Sequence, residues 1–237
     1  MYGKLGRIGL LVPSANTVVE PDCVRMAPEG FNIYAARMRN ATADAAGTCS
    51  MLEHVERAAD ELGSMHADVV AFACTSGSFL QGVDGETELR RRIEAAAGTK
   101  TVTTSGAVVE ALHKLGVKRL SIATPYPEEV NEGERAFFED HGLEVLRIAG
   151  MGIIDAFSIA KADKETTWDL AKSVLTSESE GLFISCTNLP AIDLIAPLEE
   201  ESGIPVVTSN QATFWGVLRA LDYNEPIHGF GSLMRKV

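Results

Sequence analysis

Two pseudo-symmetric α/β lobes, each a four-stranded parallel sheet flanked by helices, are the fold class that this chain predicts. Three observations carry that expectation. Strand-sized apolar runs alternate with helical stretches from end to end, the runs recur at a fixed spacing, and no Pro-, Gly- or Ser-rich linker separates the copies. The predicted strands are, in order, Arg7–Val12, Phe31–Arg37, Asp68–Cys74, Thr101–Thr103, Arg119–Ala123, Leu143–Ile148, Gly181–Cys186 and Pro205–Thr208. Helical spacing of apolar residues predicts helices between them over Met51–Met65, Thr87–Ala97, Ala107–Leu115, Asn131–Asp140 and Thr167–Thr176. Strands alternating with helices make βαβ units, whose parallel sheets are covered by helices on both faces.

The repeat divides the eight strands into two sets of four. Gly9-Leu-Leu-Val-Pro13 resembles Ser121-Ile-Ala-Thr-Pro125, with the prolines 112 residues apart. Gly30-Phe-Asn-Ile33 lines up with Gly142-Leu-Glu-Val145, and Val70-Ala-Phe-Ala-Cys-Thr75 with Leu182-Phe-Ile-Ser-Cys-Thr187, both again at an offset of 112. Val102-Thr-Thr-Ser105 then matches Val206-Val-Thr-Ser209 at 104, so one loop is shorter in the second copy. The fourth strand of each copy leads into a helix, from Ala107 and from Ala212, that starts the other lobe. The expected lobes are therefore residues 1–104 with 209–237, and residues 105–208.

Composition narrows the function. The chain has 237 residues, enough for a sizeable core, with 46% hydrophobic and 23% charged. A net charge of −12, from 21 basic against 33 acidic residues, excludes a nucleic-acid binder, which needs a surplus of clustered Lys and Arg. No apolar run approaches the ~18 residues of a membrane span. The first apolar run, Ile8–Val12, is closed by Pro13 and is too short for a signal-peptide core. The four cysteines, at 23, 49, 74 and 186, are sparse and widely spaced, as in reduced thiols of a cytoplasmic protein. The five histidines show no ligand spacing, and neither a dinucleotide fingerprint nor a phosphate loop occurs, so no metal and no cofactor are expected.

Chemistry is expected in the turns that follow the strands. In open parallel sheets ligands sit beyond the carboxyl ends of strands, where free backbone N–H groups point outward. Pro13-Ser-Ala-Asn-Thr17, Cys74-Thr-Ser-Gly-Ser78, Thr124-Pro-Tyr-Pro127 and Cys186-Thr-Asn-Leu-Pro190 are turns of that kind, rich in hydroxyl and amide donors. They make a cradle for a small anion despite the negative net charge, because it works through local dipoles. Cys74 and Cys186 are the sharpest features. They hold equivalent positions in the repeat, and each is followed by Thr, so two halves facing each other would place both thiols on one cleft. A lone cysteine there reads as a small buried hydrophobe, but a matched pair reads as chemistry. A thiol beside helix N-terminal amides is expected to have a lowered pKa. Cys23 and Cys49 lack this context and read as structural. Tyr126 and Asn16 are further candidates, set against a surface tyrosine and an Asx-turn cap respectively.

These motifs resemble the Asp/Glu racemase superfamily, in its branch of maleate cis-trans isomerases and arylmalonate decarboxylases. The likeness rests on Pro13-Ser-Ala-Asn-Thr17 with Glu20, Cys74-Thr-Ser-Gly-Ser78, Thr124-Pro-Tyr126 and Cys186-Thr-Asn-Leu-Pro190, and covers nearly the whole chain. The resemblance implies an Asp/Glu racemase-like fold and a cofactor-independent isomerase of a small dicarboxylate. Cys74 and Cys186 would be catalytic, with Pro13, Ser14, Asn16, Thr75, Ser76, Tyr126, Thr187 and Asn188 binding the substrate. It further implies that thiolate Cys74 adds to the alkene of maleate, that the turn donors hold the carboxylates, and that Cys186 serves as acid and base. One departure stands out: Ala156 occupies the place of the Asn that binds a carboxylate in maleate isomerases. The second carboxylate is then bound differently, or the substrate is another small carboxylate handled by a racemase or a decarboxylase, the ectoine-catabolism relatives included. A non-catalytic binding protein of the same fold is the third reading. The oligomeric state is left open, a homo-oligomer included.

Overall fold

A computed structural model describes residues 2–236. The first half runs β1 (Gly6–Pro13), α1 (Val19–Met26), β2 (Phe31–Met38), α2 (Ala45–Leu52), α3 (Val55–Ser64), β3 (Val69–Phe72), α4 (Thr75–Phe79), α5 (Gly82–Ala97) and β4 (Thr101–Thr103). The second runs α6 (Thr104–Leu115), β5 (Arg119–Thr124), α7 (Glu128–Asp140), β6 (Glu144–Gly150), α8 (Ala156–Ile159), α9 (Lys164–Ser173), β7 (Gly181–Ile184), α10 (Ile195–Ser202), β8 (Val206–Thr208) and α11 (Ser209–Ala220). The strands form two four-stranded sheets, β2-β1-β3-β4 and β6-β5-β7-β8, parallel throughout. The order is the same in both. The two-sheet α/β fold is therefore as the repeat predicts. Among the described residues, no helix is long and apolar enough to cross a membrane.

Strand register tests the repeat residue by residue. Ile8 pairs with Val69 in the first sheet and Leu120 with Gly181 in the second, each shifted by 112. The fourth strands need a correction. Val70 faces Thr101, and Leu182 faces Val206, so the offset there is 105 rather than 104. The equivalent residues are thus Thr103 and Thr208, the caps of α6 and α11. Runs as short and as rich in Val, Thr and Ser as these match in either register by eye, and only pairing with the neighbouring strand decides.

The helix expected over Met51–Met65 is two helices. Asp44 caps α2, its carboxylate accepting the Gly47 N–H, so that helix starts at Ala45 and stops at Leu52; α3 begins afresh at Val55. Met51, Leu52, Val55, Ala58, Ala59 and Leu62 are all buried across the break, so the apolar stripe continues where the backbone does not. Periodicity alone cannot see such a turn.

Helices α6 and α11 pack against each other, and α11 is buried from Ser209 to Leu218. The approach is close: a Cβ on Gly216 would lie 3.0 Å from Ala107 Cβ and from Val102 Cγ1. The start of α11 is held by a capping box, in which Thr208 Oγ1 accepts the Gln211 N–H and the Gln211 side chain accepts the Thr208 N–H. Thr208→Ala removes one arm of that box and should cost about 1 kcal/mol, which lowers Tm by about 2–4 °C for a chain of this size. A urea titration beside a thermal scan checks this.

Candidate active site

The carboxyl ends of β1, β3, β5 and β7 converge on one small cleft. Pro13, Asn16, Cys74, Thr75, Ser76, Tyr126, Cys186, Thr187 and Asn188 all line it. Ser14 does not line it. Its half-buried hydroxyl donates to the Asn40 carbonyl at 3.1 Å and accepts the Asn40 N–H at 2.9 Å. The residue it braces, Asn40, does face the cleft, so Ser14 stands one step behind the position expected of it. Cys23 is buried in the core and Cys49 is exposed on α2, both outside the cleft.

Sequence reasoning missed Ala15, Asn40, Ala43, Thr48 and Ile159 as lining residues. Ala15 comes from the turn after β1, and the other four from the segments after β2 and β6, which meet through an antiparallel bridge between Thr42 and Asp155. The Ala43 N–H donates to the Ile154 carbonyl at 2.8 Å, and the Ala156 N–H to the Ala41 carbonyl at 3.2 Å. One signal was available, since these segments also follow parallel strands at the same edge of each sheet.

The polar turns are stitched together across the cleft. Asn16 Oδ1 accepts the N–H groups of Val18 and Val19, which starts α1, while its Nδ2 donates to Thr187 Oγ1 at 3.0 Å. Thr187 Oγ1 donates onward to the Ala73 carbonyl at 3.0 Å. Asn188 Oδ1 accepts the Thr17 N–H at 2.9 Å, and its Nδ2 donates to the Ala156 carbonyl at 2.8 Å. Arg37 holds the first turn from outside, donating to the Ser14 and Asn16 carbonyls and pairing with Glu20. Much of the donor set is thus committed to holding the site's shape, and the buried amides are satisfied in doing so.

Both thiols are buried, and their acidity runs against the expectation of a lowered pKa. Burial pushes Cys74 up, against the pull of the Gly77 N–H and of Ser76, whose hydroxyl lies 3.8 Å from the sulfur. Burial pushes Cys186 up to about 12, even though the Tyr126 hydroxyl pulls it down and the Asn188 N–H donates to its sulfur at 3.4 Å. The negative charge of either sulfur also opposes ionisation of the other at Cys186. The donors are those of a thiolate site, but desolvation outweighs them. Tyr126 is itself buried and held well above its ordinary pKa, first by burial and then by the charge on Cys186. Its ring packs edge-on against Phe79 at 6.4 Å, which aims the hydroxyl at Cys186 rather than at solvent. Among the described residues, no three His, Cys, Asp or Glu side chains are grouped as a metal ion requires.

A cleft between two matched α/β halves, with one buried thiol from each, defines an enzyme of the Asp/Glu racemase type. A model of the arylmalonate decarboxylase family matches residues 8–234, and the chain belongs to that family. It is 30% identical to the maleate isomerase of Nocardia farcinica, over 97% of this chain and 96% of the relative. It is 32% identical to the arylmalonate decarboxylase of Bordetella bronchiseptica, over 90% and 89%. Among solved structures, a maleate isomerase variant from Pseudomonas putida with maleate superimposes with a TM-score of 0.94 at 25% identity, covering 98% of each chain. A cysteine-to-serine variant of the Nocardia farcinica enzyme, with a covalently bound succinylcysteine intermediate, does so with a TM-score of 0.93 at 27% identity, covering 97% and 98%.

Proposed function

We propose that this enzyme is a cofactor-independent cis-trans isomerase of a small dicarboxylate, converting maleate to fumarate by cysteine addition and elimination. The observation that carries the reading is the pair of buried thiols, Cys74 and Cys186, delivered from equivalent positions to one small cleft. The succinylcysteine seen in a relative is the intermediate that such chemistry passes through. The active form of the pair carries one proton, on Cys186, because a charge on either sulfur opposes a charge on the other. Cys74 as thiolate bonds to one alkene carbon, and the other alkene carbon takes the Cys186 proton. The product is a succinyl thioether on Cys74 with Cys186 now a thiolate. The former double bond rotates, Cys186 removes the proton again, the carbon–sulfur bond breaks, and fumarate leaves with the thiols as they began.

The Thr75 hydroxyl is given to Ser209, and the Ser76 hydroxyl with the backbone N–H groups of the turn suits the carboxylate that takes up charge during addition. For the second carboxylate, Ala156 supplies no donor, but Asn40 and Thr48 stand on the segments beside it. Neither side chain is engaged in a hydrogen bond among the described residues, which leaves an amide and a hydroxyl free for it. A second reading has its own support. Ala15, Ala43, Ala156 and Ile159 give the cleft an apolar side, which suits a decarboxylase or racemase of a carboxylate with an apolar substituent.

Proton NMR in deuterated buffer separates the readings. The enzyme, dialysed against a chelator, is given maleate, aryl- and alkylmalonates, aspartate or glutamate. Loss of the maleate vinyl signal and growth of that of fumarate is the expected result. Inert maleate with loss of carboxylate from a substituted malonate, or exchange at an amino-acid α-carbon, would replace this reading with the second.

A further inference from the structure

Glu134 lies on α7, wholly buried, with no cation beside it among the described residues. Its Oε1 accepts the Ser185 hydroxyl at 2.6 Å, while Oε2 has no partner. Ser185 immediately precedes Cys186, whose φ is +89°, a backbone conformation that only glycine adopts without strain. The first half of the molecule supplies the control. At the offset of 112, Cys186 corresponds to Cys74 and Ser185 to Ala73, which has no hydroxyl to offer. Cys74 has an ordinary extended φ of −146°. Asp22 stands at the equivalent of Glu134 and is also buried, but its carboxylate accepts from Asn210 Nδ2 rather than from the residue before Cys74, so the strained cysteine and the carboxyl clamp on its turn occur together in one half only.

We propose that Glu134 is a positioning residue for Cys186: through the Ser185 hydroxyl it holds the strained turn that presents the Cys186 thiol to the cleft. This rests on the reading of Cys186 as the proton carrier. Burial pushes the Glu134 carboxyl up to about 8, so at neutral pH it is an uncharged acid. The titratable groups that feel its charge are Tyr126 and Cys186. Of the elements packed on α7, α4 carries no charged residue, and the arginines of α5 are paired with Glu86, Glu88 and Glu56. Arg147 of β6 donates to the Ser173 carbonyl, so no counter-charge reaches Glu134 from there. Ionisation above its pKa therefore places a bare negative charge beside a thiol already hard to ionise. The sign for stability follows. A carboxyl raised in the folded state is destabilising as pH climbs from its unfolded value to about 8, and the loss is constant beyond.

Glu134→Gln keeps an acceptor for Ser185 without the titration, Glu134→Ala removes the acceptor, and Ser185→Ala cuts the same bond from the other side. The Gln variant should keep wild-type kcat at pH 7 and outlast the wild type as pH rises past 8. Its Tm should gain on that of the wild type between about pH 5 and 8 and then run parallel. Glu134→Ala and Ser185→Ala should each lose about 10²-fold in kcat with little change in KM, the scale of a misaimed catalytic group. Iodoacetamide labelling of Cys186 relative to Cys74, read by peptide mass spectrometry, needs no substrate. It should rise less steeply with pH in the wild type than in the Gln variant, and it tests the clamp even if maleate is not the substrate. Glu134→Gln as impaired as Glu134→Ala at pH 7, or Ser185→Ala with wild-type kcat and labelling, would overturn the proposal.

Discussion

Cys74→Ser should lose isomerisation by about 10³-fold or more, with KM little changed. Serine preserves the size of the side chain, its place at the start of α4 and its contact with Ser76. It removes the nucleophile. A hydroxyl ionises far less readily than a thiol, and burial, which already pushes Cys74 up, penalises an alkoxide more. No base stands ready to compensate, since the other titratable groups of the cleft are Tyr126 and Cys186, both also pushed up by burial. Steady-state rates with maleate, and intact-protein mass spectrometry showing no adduct, check the claim. Activity near the wild type would move the chain toward the decarboxylase reading, in which the thiol of the second half acts alone.

Cys186→Ser should also be severe, on the order of 10³-fold, but it should fail at a different step. Addition by Cys74 can precede the proton transfer that Cys186 governs, with water supplying the proton, whereas a neutral serine hydroxyl is too weak a base to remove it again for elimination. The variant should therefore accumulate substrate on Cys74. Intact mass should rise by one substrate, and peptide mapping should place it at residue 74. An adduct at residue 186 of the wild type would reverse the two roles. Silence in both experiments would leave neither thiol as the nucleophile.

Much of this site is legible in the sequence because duplication prints it twice. Pro13 with Pro125, and Cys74 with Cys186, are separated by 112 residues, and a parallel sheet sends both members of each pair to the same edge. Offsets are blind to what lies between the halves. Asn40 and Thr48 reach the cleft because two irregular segments pair through Thr42 and Asp155, a contact that no local pattern announces. Glu134 is hidden for the opposite reason. It sits in a helix that also carries Glu128, Glu129, Glu132, Glu139 and Asp140, where one buried acid looks like another solvated one. The acidity of the thiols was misread because the turn donors are visible in sequence, whereas the desolvation that outweighs them belongs to the folded interior.

The bonds from Asn16 to Thr187, from Thr17 to Asn188 and from Thr187 to Ala73 each join the first half to the second beside the reacting groups. Behind them, α6 and α11 touch across Gly216 with no slack. Opening the halves like a clamshell would strip buried amides of their partners and part Gly216 from Val102 of the first half in the same motion. These contacts oppose a hinged opening of the two halves. The same contacts hold Cys74 and Cys186 at a fixed separation, so the site is assembled before any ligand arrives.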